Sequence, residues 1–170
     1  MSPASLSQFA VLLAFAALIG WGAISDFSRF IIPNRVCLAI AALYPAHVLA
    51  SGFAVDWQGA ALLAAGTFAA GCLLFALRLA GGGDVKFLSA IMLWVGPALF
   101  WPFMIVTALA GGVLALAALF AHRAWRTVAV RMIGMASGVG QQALPEALRL
   151  PYGIAIAAGG LFVAVHLATA

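Results

Sequence analysis

The sequence predicts an all-α integral membrane protein of six transmembrane helices, with both termini extracytoplasmic and a short fourth helix. Three observations carry that prediction. Of 170 residues, 66% are hydrophobic and only 7% charged, with a mean hydropathy of +1.19, a composition unlike that of soluble domains. Apolar stretches near the length of a bilayer crossing run over 7–25, 35–51, 58–79, 87–97, 98–120 and 151–168. With six crossings and the N-terminus outside, Arg29, Arg35, Arg78, Lys86, Arg123, Arg126, Arg131 and Arg149 all fall on the cytoplasmic side, and Asp56 falls on the other.

The first stretch has no Lys or Arg ahead of it, so it lacks the positive region of a secretory signal and reads as a retained helix ending at Asp26. Ile32-Pro33 then forces extended backbone before the proline, and Asn34 is placed to cap the second helix. Asp56 suits the N-terminus of the third. The stretch 87–97 is short, and Gly96-Pro97 divides it from 98–120. If it did not cross, the Arg123, Arg126 and Arg131 cluster would lie outside, so the charge bias favours a crossing. The long connection 121–150 suits either a helix lying in the interface, through Arg123, Trp125, Arg126, Val128, Arg131 and Met132, or a solvated loop. Residues 1–170 read as a single domain, and Ala65, Gly66, Ala69, Ala70, Gly111, Gly112, Gly159 and Gly160 read as close helix packing.

Eight Lys and Arg against four Asp and Glu give a net charge of +4, which topology and an anionic lipid surface account for. No basic run interleaved with aromatics indicates a nucleic-acid partner. Cys37 and Cys72 sit inside apolar segments without a C-x-x-C pair, and His47, His122 and His166 lie far apart. Neither a metal nor an organic cofactor is expected, and no G-x-S-x-G suggests a serine nucleophile.

The chemistry concentrates in two short motifs, Ser25-Asp26-Phe27-Ser28-Arg29-Phe30-Ile31-Ile32-Pro33-Asn34 and Gly81-Gly82-Gly83-Asp84-Val85-Lys86. An ionisable residue at membrane depth is costly and marks a functional site, and the topology brings Asp26 and Asp84 to one face. The glycine run permits positive φ and close approach of another chain. A short fourth helix would let Asp84 lie recessed in a water-filled cavity. Two such carboxylates suit peptide hydrolysis, the ionised one taking a proton from water and the protonated one donating to the scissile carbonyl oxygen. Asp84 opens a helix and Asp26 closes one, so helix-end electrostatics suggest Asp84 as base and Asp26 as acid. Lys86 and Arg29 read as snorkelling cations that could also steady the site, and Tyr152 as an interfacial tyrosine that could neighbour it.

These paired motifs, together with Leu150-Pro151-Tyr152-Gly153-Ile154-Ala155-Ile156-Ala157, resemble the type IV prepilin peptidases, and most closely the short forms that serve tight-adherence (Flp-type) pili. The resemblance implies an aspartic endopeptidase of the bacterial inner membrane with catalytic Asp26 and Asp84. Gly81, Gly82, Gly83, Lys86, Pro33 and Asn34 would stand in support. It implies a prepilin substrate whose short basic leader is cut after glycine, ahead of a hydrophobic helix that lies in the bilayer. Larger members add a four-cysteine zinc domain and methylate the new pilin N-terminus; with no C-x-x-C here, that activity is not carried over. Two other readings stand beside this one. A presenilin-like intramembrane protease shares G-x-G-D, but Asp26 follows Ser25 and not the tyrosine of a Tyr-Asp pair. A non-catalytic assembly factor or transporter could keep acids in a polar cavity, and the separating observation is whether the two carboxylates approach each other.

Overall fold

The computed structural model describes residues 3–134 and 151–169, and it is helical throughout apart from short connections. The helices are α1 (Pro3–Arg29), α2 (Asn34–Ala50), α3 (Trp57–Ala76), α4 (Gly82–Gly134) and α5 (Tyr152–Thr169). Four of them, α1, α3, α4 and α5, are long and apolar enough to cross a membrane, and α2 is a shorter apolar helix of 17 residues. Outward-facing Leu38, Leu62, Leu73 and Ile105 are all more than half exposed, which an aqueous surface would not favour and lipid would. The chain is a multi-pass membrane protein.

Helix α4 is two limbs. Gly96 breaks it with φ 56° and ψ 176°, outside the helical region, and Pro97 starts the second limb at a position where its missing N–H costs nothing. The limbs run in opposite directions, as their neighbours reveal. Along the first, Val85 packs on Gly71 and Ile91 on Gly160; along the second, Phe103 packs on Gly159 and Gly111 on Ala155, nearer the start of α5. The break expected at Gly96-Pro97 is therefore a chain reversal. The second limb stays helical to Gly134, and the remainder of the expected 121–150 connection lies outside the described residues.

Lipid gives helices no hydrophobic reason to associate, so close packing carries the bundle. A Cβ added at Gly22 would stand 2.7 Å from the Phe87 ring, and one at Gly160 would stand 2.9 Å from Ile19 Cδ1. These glycines let α1, the first limb of α4 and α5 meet along their backbones. Gly66 and Gly112, expected in the same role, have nothing within 4 Å and do not serve it. Phe15 stacks on Trp94 at 3.9 Å between ring centres, His47 packs on the same indole, and Trp94 Nε1 donates to the Ile40 carbonyl at 3.1 Å. The aromatic cluster ties α1 and α2 to the first limb of α4. Asp56 caps α3 by accepting from Gly59 N at 2.9 Å, as its position predicts.

Candidate active site

The end of α1 turns back sharply because Phe30 adopts a left-handed φ of 52° while its N–H still bonds the Asp26 carbonyl at 2.8 Å. A bulky side chain rarely takes this conformation, and neighbouring contacts hold it there. Ser25 Oγ donates to the Ile31 carbonyl at 2.7 Å, folding the connection against the helix end, and Ile32 is buried beneath it. Asp26 lies just inside that fold, only 5% exposed.

Asp84 belongs to the first turn of α4, and its neighbour Val85 donates to Gly81 O at 3.1 Å. The glycines act through space rather than through unusual backbone. None of Gly81, Gly82 and Gly83 has positive φ, contrary to the expectation from the sequence, because Gly82 and Gly83 are already helical. A Cβ at Gly81 would stand 2.7 Å from Asp84 Oδ2, so the carboxylate folds over that residue. A Cβ at Gly83 would meet Ile32 Cβ at 3.6 Å and its backbone N at 3.7 Å, which locates the close approach of the α1–α2 connection to α4.

The two carboxylates come together. Asp26 and Asp84 line one cavity of about 510 Å³ with Phe30, Asn34, Gly83 and Tyr152, open at the end of the bundle where α1 finishes and α4 and α5 begin.

One residue that sequence reasoning passed over holds Asp26. Gly153, in the first turn of α5, donates its backbone N–H to Asp26 Oδ2 at 2.8 Å, in a bond that spans 127 residues of sequence. The first N–H groups of a helix lack intrahelical partners and favour negative charge, so α5 presents a ready donor. No side chain fits there: a Cβ at Gly153 would lie 2.7 Å from Asp26 Oδ2 and 2.9 Å from its Cγ. The helix-end argument for Asp84 as base and Asp26 as acid assumed that Asp26 meets only the negative end of α1. The first turn of α5 adds a positive helix end beside Asp26, which weakens that asymmetry.

The supporting residues divide. Asn34 does not cap α2: Pro33 precedes the helix with no side-chain cap bond, and Asn34 Oδ1 instead accepts from Lys86 Nζ at 3.0 Å. Lys86 is thus tied across to α2 rather than extended to an interface. Pro33 and Arg29 line a neighbouring cavity between α1 and α2, apart from the carboxylates, whereas Tyr152 lines the carboxylate cavity itself. Cys37 is buried and Cys72 exposed, both as free thiols, and among the described residues no three His, Cys, Asp or Glu side chains converge.

A family model described as the type IV leader peptidase family matches residues 10–116, a span that includes both carboxylates and ends before α5. No curated protein and no solved structure matches the chain.

Proposed function

We propose that this chain, which belongs to the type IV leader peptidase family, is an aspartic endopeptidase that removes the leader from Flp-type prepilins at the cytoplasmic boundary of the bacterial inner membrane. Family membership makes the chain a peptidase. The observation that carries the finer reading is the shared cavity of Asp26 and Asp84, at the bundle end where a membrane-bound substrate can present the residues ahead of its hydrophobic helix.

In the proposed mechanism a water lies between the carboxylates. The Gly153 N–H favours the ionised form of Asp26, so in this reading Asp26 takes the proton as water attacks the scissile carbonyl carbon. Asp84, protonated, donates to the carbonyl oxygen as its π bond opens. The tetrahedral diol then collapses, the C–N bond breaks, the departing amine receives the proton held by Asp26, and Asp84 recovers its own from the re-forming carboxyl group. Water is consumed, no acyl-enzyme forms, and neither metal nor organic cofactor is required. Gly81, Gly82 and Gly83 keep the wall beside Asp84 low enough for an extended substrate, and the Lys86–Asn34 bond braces the rim between α4 and α2.

In this reading α2 and the two limbs of α4 complete six crossings with both termini extracytoplasmic, which leaves the basic residues and both carboxylates on the cytoplasmic side. The test is co-expression with candidate Flp-type prepilins. A leader-sized decrease in pilin mass that depends on this chain supports the reading, and unprocessed prepilin beside abundant inserted protein refutes it.

A further inference from the structure

On the other side of α1 from the carboxylates, α1 and α2 splay to leave two cavities that share Leu18 and Trp21, one of about 480 Å³ and one of about 560 Å³. The first is polar at its outer end, where Arg29 closes α1 and Arg35 opens α2, with Ser28 beside them. Among the described residues no hydrogen bond or ion pair engages either guanidinium. The second runs deeper along the helix seam and is walled by small alanines, Ala14 and Ala17 facing Ala39 and Ala42. Trp21, 64% exposed, stands where the two join.

We propose that this groove binds one anionic phospholipid, with its phosphate between Arg29 and Arg35 and an acyl chain along the alanine seam. The division of the groove matches an amphiphile: two cations at the helix ends, where crossing helices meet headgroups, then an apolar channel with no polar side chain to satisfy. A free phosphate would use the first half and leave the second empty. A substrate helix with a basic leader would bring like charge to the arginines. Arginine forks suit phosphate oxygens, and each cation near an anionic lipid surface favours binding roughly fivefold. The site is separate from the carboxylate cavity, and its test does not depend on peptidase activity.

The test uses delipidated full-length protein in neutral detergent, titrated with phosphatidylglycerol or phosphatidylcholine carrying brominated acyl chains, which quench nearby tryptophan. Quenching assigned to Trp21, by difference from Trp21→Phe, is expected to reach half-maximum at about twenty-five-fold less phosphatidylglycerol than phosphatidylcholine. Millimolar inorganic phosphate should not displace the lipid. The double variant Arg29→Gln/Arg35→Gln should quench equally with both lipids, while Arg29→Lys/Arg35→Lys keeps most of the preference; thermal melting of each variant checks the fold. Equal quenching of the wild type by both lipids, or a preference that survives the glutamine variant, overturns the proposal. So does displacement of the brominated lipid by a prepilin hydrophobic-helix peptide, which would assign the groove to substrate.

Discussion

Replacing Gly153 by alanine adds one methyl group at the point where α5 touches the carboxylate cavity. Built on the backbone, that carbon stands 2.7 Å from Asp26 Oδ2, 2.9 Å from Cγ and 2.9 Å from Ile32 Cδ1. Ile32 can yield by turning its terminal methyl, but the carboxylate oxygen must retreat by about 0.7 Å to reach the 3.4 Å at which ordinary contact begins. That retreat stretches the 2.8 Å bond from Gly153 N past useful geometry. Losing a hydrogen bond to a charged group costs about 1.5–3 kcal/mol, and misplacing a catalytic group by about 1 Å costs on the order of a hundredfold in rate. Cleavage per inserted molecule should therefore fall on the order of a hundredfold. Stability should fall by about 0.5–2.5 kcal/mol, because alanine in a helix is favoured over glycine by roughly 0.5–1 kcal/mol and offsets only part of the loss. Prepilin processing in membranes, normalised to inserted enzyme and read beside a thermal melt, measures both quantities. Gly66→Ala is the control, since nothing lies within 4 Å of its added carbon, and it should cleave normally. Wild-type processing by Gly153→Ala would show that α5 does not hold Asp26 and would remove Gly153 from the site.

The glycine run gives a ranking. Gly81→Ala, whose Cβ falls 2.7 Å from Asp84 Oδ2, should reduce cleavage by at least tenfold, while Gly83→Ala, with 3.6 Å to Ile32, should stay within a few-fold of wild type; the opposite order would contradict the contacts. Lys86→Met removes the exposed 3.0 Å bond to Asn34 and should lower stability by less than about 1 kcal/mol, with processing kept within tenfold; complete loss would mean that Lys86 acts on substrate directly. Cysteines placed beside Arg29 and Lys86 should react with a membrane-impermeant reagent from the cytoplasmic side, and one beside Asp56 from the other. Labelling of the Arg29 and Lys86 positions from opposite sides would end the peptidase reading, because no tilt spans a ~30 Å hydrocarbon core.

Features carried by local chemistry were legible in the sequence. The all-helical membrane fold follows from composition, the interruption at Gly96 from a glycine-proline pair, and the helix start at Asp56 from a side chain that accepts from Gly59. Both carboxylates were singled out because charge is rare here, and the charge asymmetry brought them to one end of the bundle. What sequence reasoning missed depends on neighbours remote in the chain. The Gly153 N–H is invisible as a residue type, since every non-proline residue has one, and only the docking of α5 on α1 aims it at Asp26. Asn34 carries every local mark of a cap, yet Lys86, 52 positions away, takes its oxygen. The glycine run announced freedom of backbone, but its use is room: Gly81 beneath Asp84, and Gly83 beneath the turn that Phe30 and Ser25 fold back.

The central claim is that Asp26 and Asp84 act as one unit. The most direct measurement is the cleavage rate of a purified Flp-type prepilin by the reconstituted protein, its Asp26→Asn and Asp84→Asn variants and the double variant, with folding checked by thermal melting. Partners in a single proton relay are strongly non-additive. Each single variant should therefore fall by several orders of magnitude to the same floor as the double variant, while remaining folded. A single variant that retains substantial cleavage, or a double variant that falls well below both singles, would contradict the account.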